Sequence, residues 1–135
     1  MDEAESSRLR SMMGRFATGV TVVAARHGPL LAGMTANGIA SISIDPPLMM
    51  ASIGERSETP GDRRQPCAEW HEAETGSPIL EGAIAYFDCR LTARHPGGDH
   101  TIFVGAIVAA GYREDAAPLL WFGSRYRRIS SDEAS

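Results

Sequence analysis

Three short stretches carry residue types that could do chemistry. Gly33-Met34-Thr35-Ala36-Asn37-Gly38 joins two apolar runs through small residues, a hydroxyl and a carboxamide. Backbone amides at such a junction can hydrogen-bond a planar, acceptor-rich ring or a phosphate. The same residues also make an ordinary Gly/Asn turn, and composition leaves both readings open. Arg56-Ser57-Glu58-Thr59 offers a guanidinium and two hydroxyls, which suits a phosphate dianion, although exposed loops commonly contain the same residues. His95-Pro96-Gly97-Gly98-Asp99-His100 is a tight turn with two histidines and a carboxylate. One histidine could donate a proton there, or Asp99 could simply cap the turn.

Composition removes several other chemistries. All thirteen basic residues are Arg and none is Lys, so Schiff bases and lysine-dependent phosphate loops are excluded. Any phosphate must be met by Arg, hydroxyls or backbone amides. The formal net charge of −4 argues against a nucleic-acid partner, which normally meets a basic surface. Cys67, His71, Cys89, His95 and His100 are ligand types without the short repeated spacing of a metal module, so no metal is expected. No Ser sits in a GxSxG elbow, and no GxGxxG is present. Cys67 and Cys89 lack CxxC spacing and read as free thiols of a reducing compartment. The charged start MDEAESSRLR and the absence of any membrane-length apolar run make the cytoplasm the expected location, with no membrane partner.

The elements that must position these residues read mainly as strands. Residues 6–16 place Leu9, Met12, Met13 and Phe16 at helical spacing, with Ser6 or Ser7 as cap. VTVVAAR and LLAGMT flank the turn signal His27-Gly28-Pro29 and predict a hairpin. NGIASISI alternates until Asp45-Pro46-Pro47, and LMMASI follows as a further strand. Residues 83–94 predict a long strand with Ala85, Phe87, Cys89, Leu91 and Ala93 on one face. TIFVGAIVAAGY predicts another, with Gly105 inside it admitting a close backbone or ligand approach. PLLWF is a last short strand. Residues 55–78 show almost no periodicity. Many short strands without βαβ alternation predict one domain over 1–135, an antiparallel, Greek-key-like barrel with minor helix.

Taken together, these segments resemble the flavin reductase-like family, the reductase components of two-component flavin monooxygenases and their relatives. The resemblance runs through FATGVTVVAAR, GMTANGIASISIDPP, the SET triplet at 57–59, GSPILEGAIAYFDCRL, GGDHTIFVGAIV and PLLWFGSRYR, in that order. It implies an FMN-binding split barrel, a homodimer, that passes hydride from NADH or NADPH to FMN or FAD and supplies a partner oxygenase. It implies that Thr35, Ala36, Asn37 and Gly38 lie along the flavin and that Ser43 and Ile44 lie near its ring or ribityl chain. Ser52, Arg56, Ser57 and Thr59 would stand near its phosphate, and His100, Phe103 and Tyr126 on the nicotinamide side, with His100 as the catalytic candidate. Gly38 departs from the serine such a site would carry.

The resemblance also implies a shortfall. Family members carry a helix, a barrel strand and a further helix between the segments matching Thr59 and Trp70, where this sequence has ten residues. Roughly thirty residues are therefore wanting. Either the protein lacks those elements or the sequence skips residues of a longer chain. The unpaired backbone that loss of an interior strand would leave on its neighbours favours the second. Two other functions fit a split barrel: a non-catalytic flavin- or haem-related binding protein, and an oxidase of the pyridoxamine-phosphate type.

Overall fold

The computed structural model describes residues 1–55 and 69–130, so Arg56, Ser57 and Thr59 lie outside the described residues. The described chain falls into two compact units, Met1–Val20 with Asp115 onward, and Thr21–Glu114.

The first unit opens with helix α1, Glu3–Met13. It starts earlier than the periodicity predicts because Asp2, rather than Ser6 or Ser7, is its cap. The Asp2 carboxylate accepts from the Glu5 N–H at 2.8 Å, and the Glu5 carboxylate accepts from the Asp2 N–H at 2.9 Å. This reciprocal pair satisfies two N–H groups that the first turn would otherwise leave open. The expected stripe Leu9, Met12, Met13 and Phe16 stays exposed, and Phe16 lies past the helix end. A three-stranded antiparallel sheet follows in the order β1 (Thr18–Gly19), β10 (Leu119–Phe122), β11 (Arg125–Arg128). PLLWF thus forms β10, and Gly123 with φ 58° and Ser124 with φ 59° turn the chain into β11.

The second unit is also antiparallel. Hairpin strands β2 (Thr21–His27) and β3 (Leu30–Ala36) pair without interruption. Gly28 stands at φ 56° in the two-residue turn between them, a conformation open to glycine. A four-stranded sheet has the order β4 (Ile39–Ile44), β5 (Pro47–Gly54), β9 (His100–Tyr112), β8 (Ala85–Pro96). Strands β6 (Trp70–Glu72) and β7 (Pro78–Leu80) form a separate pair; β6 lies within the aperiodic stretch 55–78, and β7 begins at its last residue.

The long strand β8 departs from simple alternation. Its register against β9 shifts between Asp88 and Cys89 and again between Leu91 and Ala93, so the apolar face expected at Ala85, Phe87, Cys89, Leu91 and Ala93 is broken. Asp88 is 3% exposed, whereas Phe87 is 51% and Leu91 55% exposed. The Asp88 carboxylate accepts the Thr75 N–H at 2.8 Å and the Thr75 hydroxyl at 2.5 Å. A buried carboxylate held this way fixes the turn that leads into β7. Arg26 holds the same turn from β2: its Nε donates to the Gly76 carbonyl at 2.7 Å, and its Nη2 pairs with Glu72. Ile79 on β7, opposite His71, is the buried apolar residue among the described residues.

Candidate functional site

The Thr35–Gly38 junction is built by the end of β3 and the start of β4. Ala36 is fixed opposite Thr21, whose hydroxyl donates to the Ala36 carbonyl at 2.6 Å. Asn37 and Gly38 then turn the chain towards β5, where the Ser52 N–H donates to the Gly38 carbonyl at 2.7 Å. A Cβ at position 38 would stand 3.1 Å from the Ser52 carbonyl oxygen and 3.2 Å from its Cβ. Glycine in place of the expected serine is therefore matched to a close approach of β5. Thr35 and Asn37 are exposed, and neither side chain makes a hydrogen bond among the described residues. A hydroxyl and a carboxamide thus remain available to a ligand edge, which suits the acceptor-rich rim of a planar heterocycle.

Ser43 is differently employed. It lies at the β4 irregularity between Ser41 and Ser43, and its hydroxyl donates to the Pro46 carbonyl in the turn before β5. Ile44 beside it is 85% exposed. Ser43 closes the Asp45-Pro46 turn and offers no free hydroxyl hydrogen to a ligand.

The GGDH turn packs on the far end of β5. His100 pairs with Gly54, and the Glu55 N–H donates to the Asp99 carbonyl at 3.0 Å, which ties the end of β5 to this turn. The Gly97 N–H closes the turn onto the His100 carbonyl at 2.8 Å. His100 Nδ1 lies 2.7 Å from Asp99 Oδ1. With Nδ1 carrying the hydrogen towards the carboxylate, Nε2 is left to meet a ligand. The unshifted β5–β9 register places Ser52 and His100 on one face of the sheet. Phe103, three residues along β9 and opposite Ala51, stands on the other face. His100 and Phe103 are therefore not brought together on one side. Tyr126 sits on β11 in the first unit, opposite Trp121.

Gly105 makes its close approach to a side chain of the protein itself. A Cβ there would lie 2.8 Å from the Cβ of Cys89. Cys89 is a free thiol, and burial, with the neighbouring Asp88 charge second, raises its pKa.

The family model described as "Flavin reductase like domain" matches residues 13–61 and 60–130. The chain belongs to the flavin reductase-like family. A member from Agrobacterium fabrum, FMN reductase (NADH) SmoA, is 35% identical over 93% of this chain and 88% of its own length. The reductase component of 4-hydroxyphenylacetate 3-monooxygenase from Thermus thermophilus is 36% identical over 89% of this chain and 94% of its own. Among solved structures, the NADH:FAD oxidoreductase SgcE6 of Streptomyces globisporus superposes with a TM-score of 0.87 at 30% identity, covering 98% of this chain and 97% of that one. The architecture is accordingly the family's split barrel, dominated by antiparallel strands with one short N-terminal helix.

Two features of the flavin reductase-like comparison bear on the shortfall after Thr59. The family match comes in two pieces that meet at Pro60-Gly61. The SmoA alignment runs over 156 positions while using 93% of 135 residues, so about thirty positions have no counterpart in this chain. The break in the family match falls where the shortfall is expected. Sequence reasoning missed the Asp88–Thr75 and Arg26–Gly76 bonds, since neither pair is near in sequence. It also missed β11, whose Arg-Tyr-Arg-Arg lacks apolar alternation.

Proposed function

We propose that the protein is a flavin reductase that oxidises NADH or NADPH, reduces FMN or FAD and hands the reduced flavin to a partner monooxygenase. The observation that carries the site assignment is the Thr35–Gly38 junction. It is locked to β5 through Gly38 and Ser52, and it leaves the Thr35 hydroxyl and the Asn37 carboxamide uncommitted. Family membership supports the reaction class.

The bound flavin supplies the redox chemistry, accepting hydride from the nicotinamide. The chain's own part is to bind, orient and shield. Thr35, Asn37 and the backbone of the junction hold the flavin's polar edge, and preorganised donors there stabilise charge that grows on reduction. Ser52 stands beside the junction, and the phosphate falls to Arg56, Ser57 and Thr59 by the family resemblance alone. His100, its Nδ1 engaged by Asp99, presents Nε2 to the nicotinamide carboxamide or pyrophosphate. No side chain has to act as a nucleophile, because the rate depends on holding two planar rings in contact.

We also propose a homodimer. Ala85, Phe87, Ala110 and Tyr112 share one face of the β8–β9 ribbon by register, and Phe87 and Tyr112 are 51% and 75% exposed. An apolar face of that kind is suited to a two-fold contact. Steady-state NADH oxidation by the purified protein with added FMN or FAD tests the central reading. Flavin binding without any flavin-dependent NADH or NADPH consumption would replace the reductase with a binding protein.

A further inference from the structure

The Thr35–Gly38 junction is anchored at two carbonyls, and one anchor is a side chain from outside it. Thr21, the first residue of β2, stands opposite Ala36, the last residue of β3. Its part-buried hydroxyl donates to the Ala36 carbonyl at 2.6 Å. On the other side of Asn37, the Gly38 carbonyl accepts the Ser52 N–H at 2.7 Å. Asn37 is thus the one residue between two anchored carbonyls.

A carbonyl and the N–H of the next residue belong to one rigid plane and point in opposite directions. Holding the Ala36 carbonyl therefore holds the whole Ala36–Asn37 peptide, and directs the Asn37 N–H away from Thr21. No ladder spans this point, because β3 ends at Ala36, β4 begins at Ile39, and the two strands belong to separate sheets. Without the Thr21 hydroxyl the peptide is free to turn about the soft dihedrals that flank it. The exposed Asn37 side chain would turn with it.

A strand position alone does not call for that oxygen. Valine matches threonine in shape and in β-branching, so it serves a strand equally well. A need for the hydroxyl itself is what separates positioning from plain strand formation.

We propose that Thr21 is a positioning residue for the flavin, its hydroxyl holding the Ala36–Asn37 peptide so that Asn37 meets the flavin's polar edge. The inference rests on the reading of the Thr35–Gly38 junction as the flavin site, and extends that site to a residue acting through another.

Fluorescence titration with FMN and FAD, alongside thermal melting, compares wild type with Thr21→Val, Thr21→Ser, Asn37→Ala and the double variant Thr21→Val/Asn37→Ala. Thr21→Val should weaken flavin binding by roughly three- to tenfold, the scale of one hydrogen bond. Thr21→Ser keeps the oxygen and should bind as the wild type does. The double variant should bind no more weakly than Asn37→Ala, because both changes remove the same contact. Where Thr21→Val does not fold, Thr21→Cys, of similar size and a weak donor, enters the same cycle. A lower melting temperature with unchanged flavin affinity in folded Thr21→Val makes Thr21 a strand residue only and overturns the proposal. Equal losses in Thr21→Val and Thr21→Ser, or additive losses in the double variant, overturn it as well. Asn37→Ala binding flavin like the wild type removes the site reading and the proposal together, whereas a loss in Asn37→Ala without one in Thr21→Val removes the proposal alone.

Discussion

Gly105 on β9 faces Cys89 on β8 so closely that a methyl group on the glycine would stand 2.8 Å from the cysteine Cβ. Cross-strand packing on this sheet therefore requires glycine at 105. Gly105→Ala should force the two strands apart and destabilise the fold by about 1–3 kcal/mol, the usual scale of overpacking. Urea denaturation followed by circular dichroism measures it. An unchanged midpoint would mean that the strands yield freely at this point.

The same contact governs Cys89. Burial and the Asp88 charge both disfavour its thiolate, so the folded pKa lies above the ordinary thiol value. A raised acid pKa contributes stability that is fully present below the unfolded pKa and is lost as pH rises towards and through the folded one. Denaturation midpoints should accordingly fall between about pH 8 and about pH 10. In a Cys67→Ser background, the further change Cys89→Ser should flatten that fall. A fall of equal size with and without Cys89 would assign the effect to other groups.

Phe87 and Tyr112 provide the test of the homodimer. Phe87→Glu places a charge on the exposed β8–β9 face, where burial against a second copy would be strongly unfavourable. Multi-angle light scattering at micromolar concentration should show a dimer for the wild type and a shift towards monomer for the variant. A wild-type monomer with normal flavin affinity removes the proposed interface.

Asn37 carries the flavin assignment. Its carboxamide is exposed and makes no hydrogen bond among the described residues, so Asn37→Ala should leave stability nearly unchanged while weakening flavin binding. Loss of one buried bond to a polar ligand corresponds to about 1–3 kcal/mol. Fluorescence titration with FMN and FAD reads this out, and equal affinity in both proteins would move the ligand edge away from Asn37.

Legibility in the sequence followed range. The β2–β3 hairpin, the β4 and β5 strands, and the strands at 85–96 and 100–112 were readable because alternation and the Gly28-Pro29 and Pro46-Pro47 breaks act within a few residues. The inward face of β8 was not readable, because two register shifts change which side chains point inward and only pairing with β9 fixes them. The helix cap was misplaced because Asp2 and Glu5 satisfy one another upstream of the apolar stripe. At the candidate site, motif order brings Asn37, Gly38 and His100 forward as candidates. The engagement of Ser43 by Pro46 and the separation of Phe103 from His100 depend on turn and strand geometry that residue types do not encode.

His100 supports the most discriminating kinetic experiment. Its Nδ1 is 2.7 Å from Asp99, its backbone pairs with Gly54, and it shares a sheet face with Ser52. The side chain is 45% exposed, so Nε2 can reach a ligand, and removing the ring leaves no buried cavity behind. His100→Ala should therefore impair nicotinamide use more than flavin binding. Loss of one hydrogen bond to the carboxamide or pyrophosphate, about 1–2 kcal/mol, corresponds to roughly five- to thirtyfold in kcat/KM for NADH. Asp99→Asn should act in the same direction and more weakly through His100, because the amide can still meet Nδ1 but without the charge of the carboxylate. Its signature is a raised saturation constant for NADH at an unchanged melting temperature. Stopped-flow reduction of bound flavin by NADH compares wild type with both variants. A lower melting temperature with unchanged reduction rate and saturation constant in His100→Ala would make the residue part of the turn alone and remove it from the reaction.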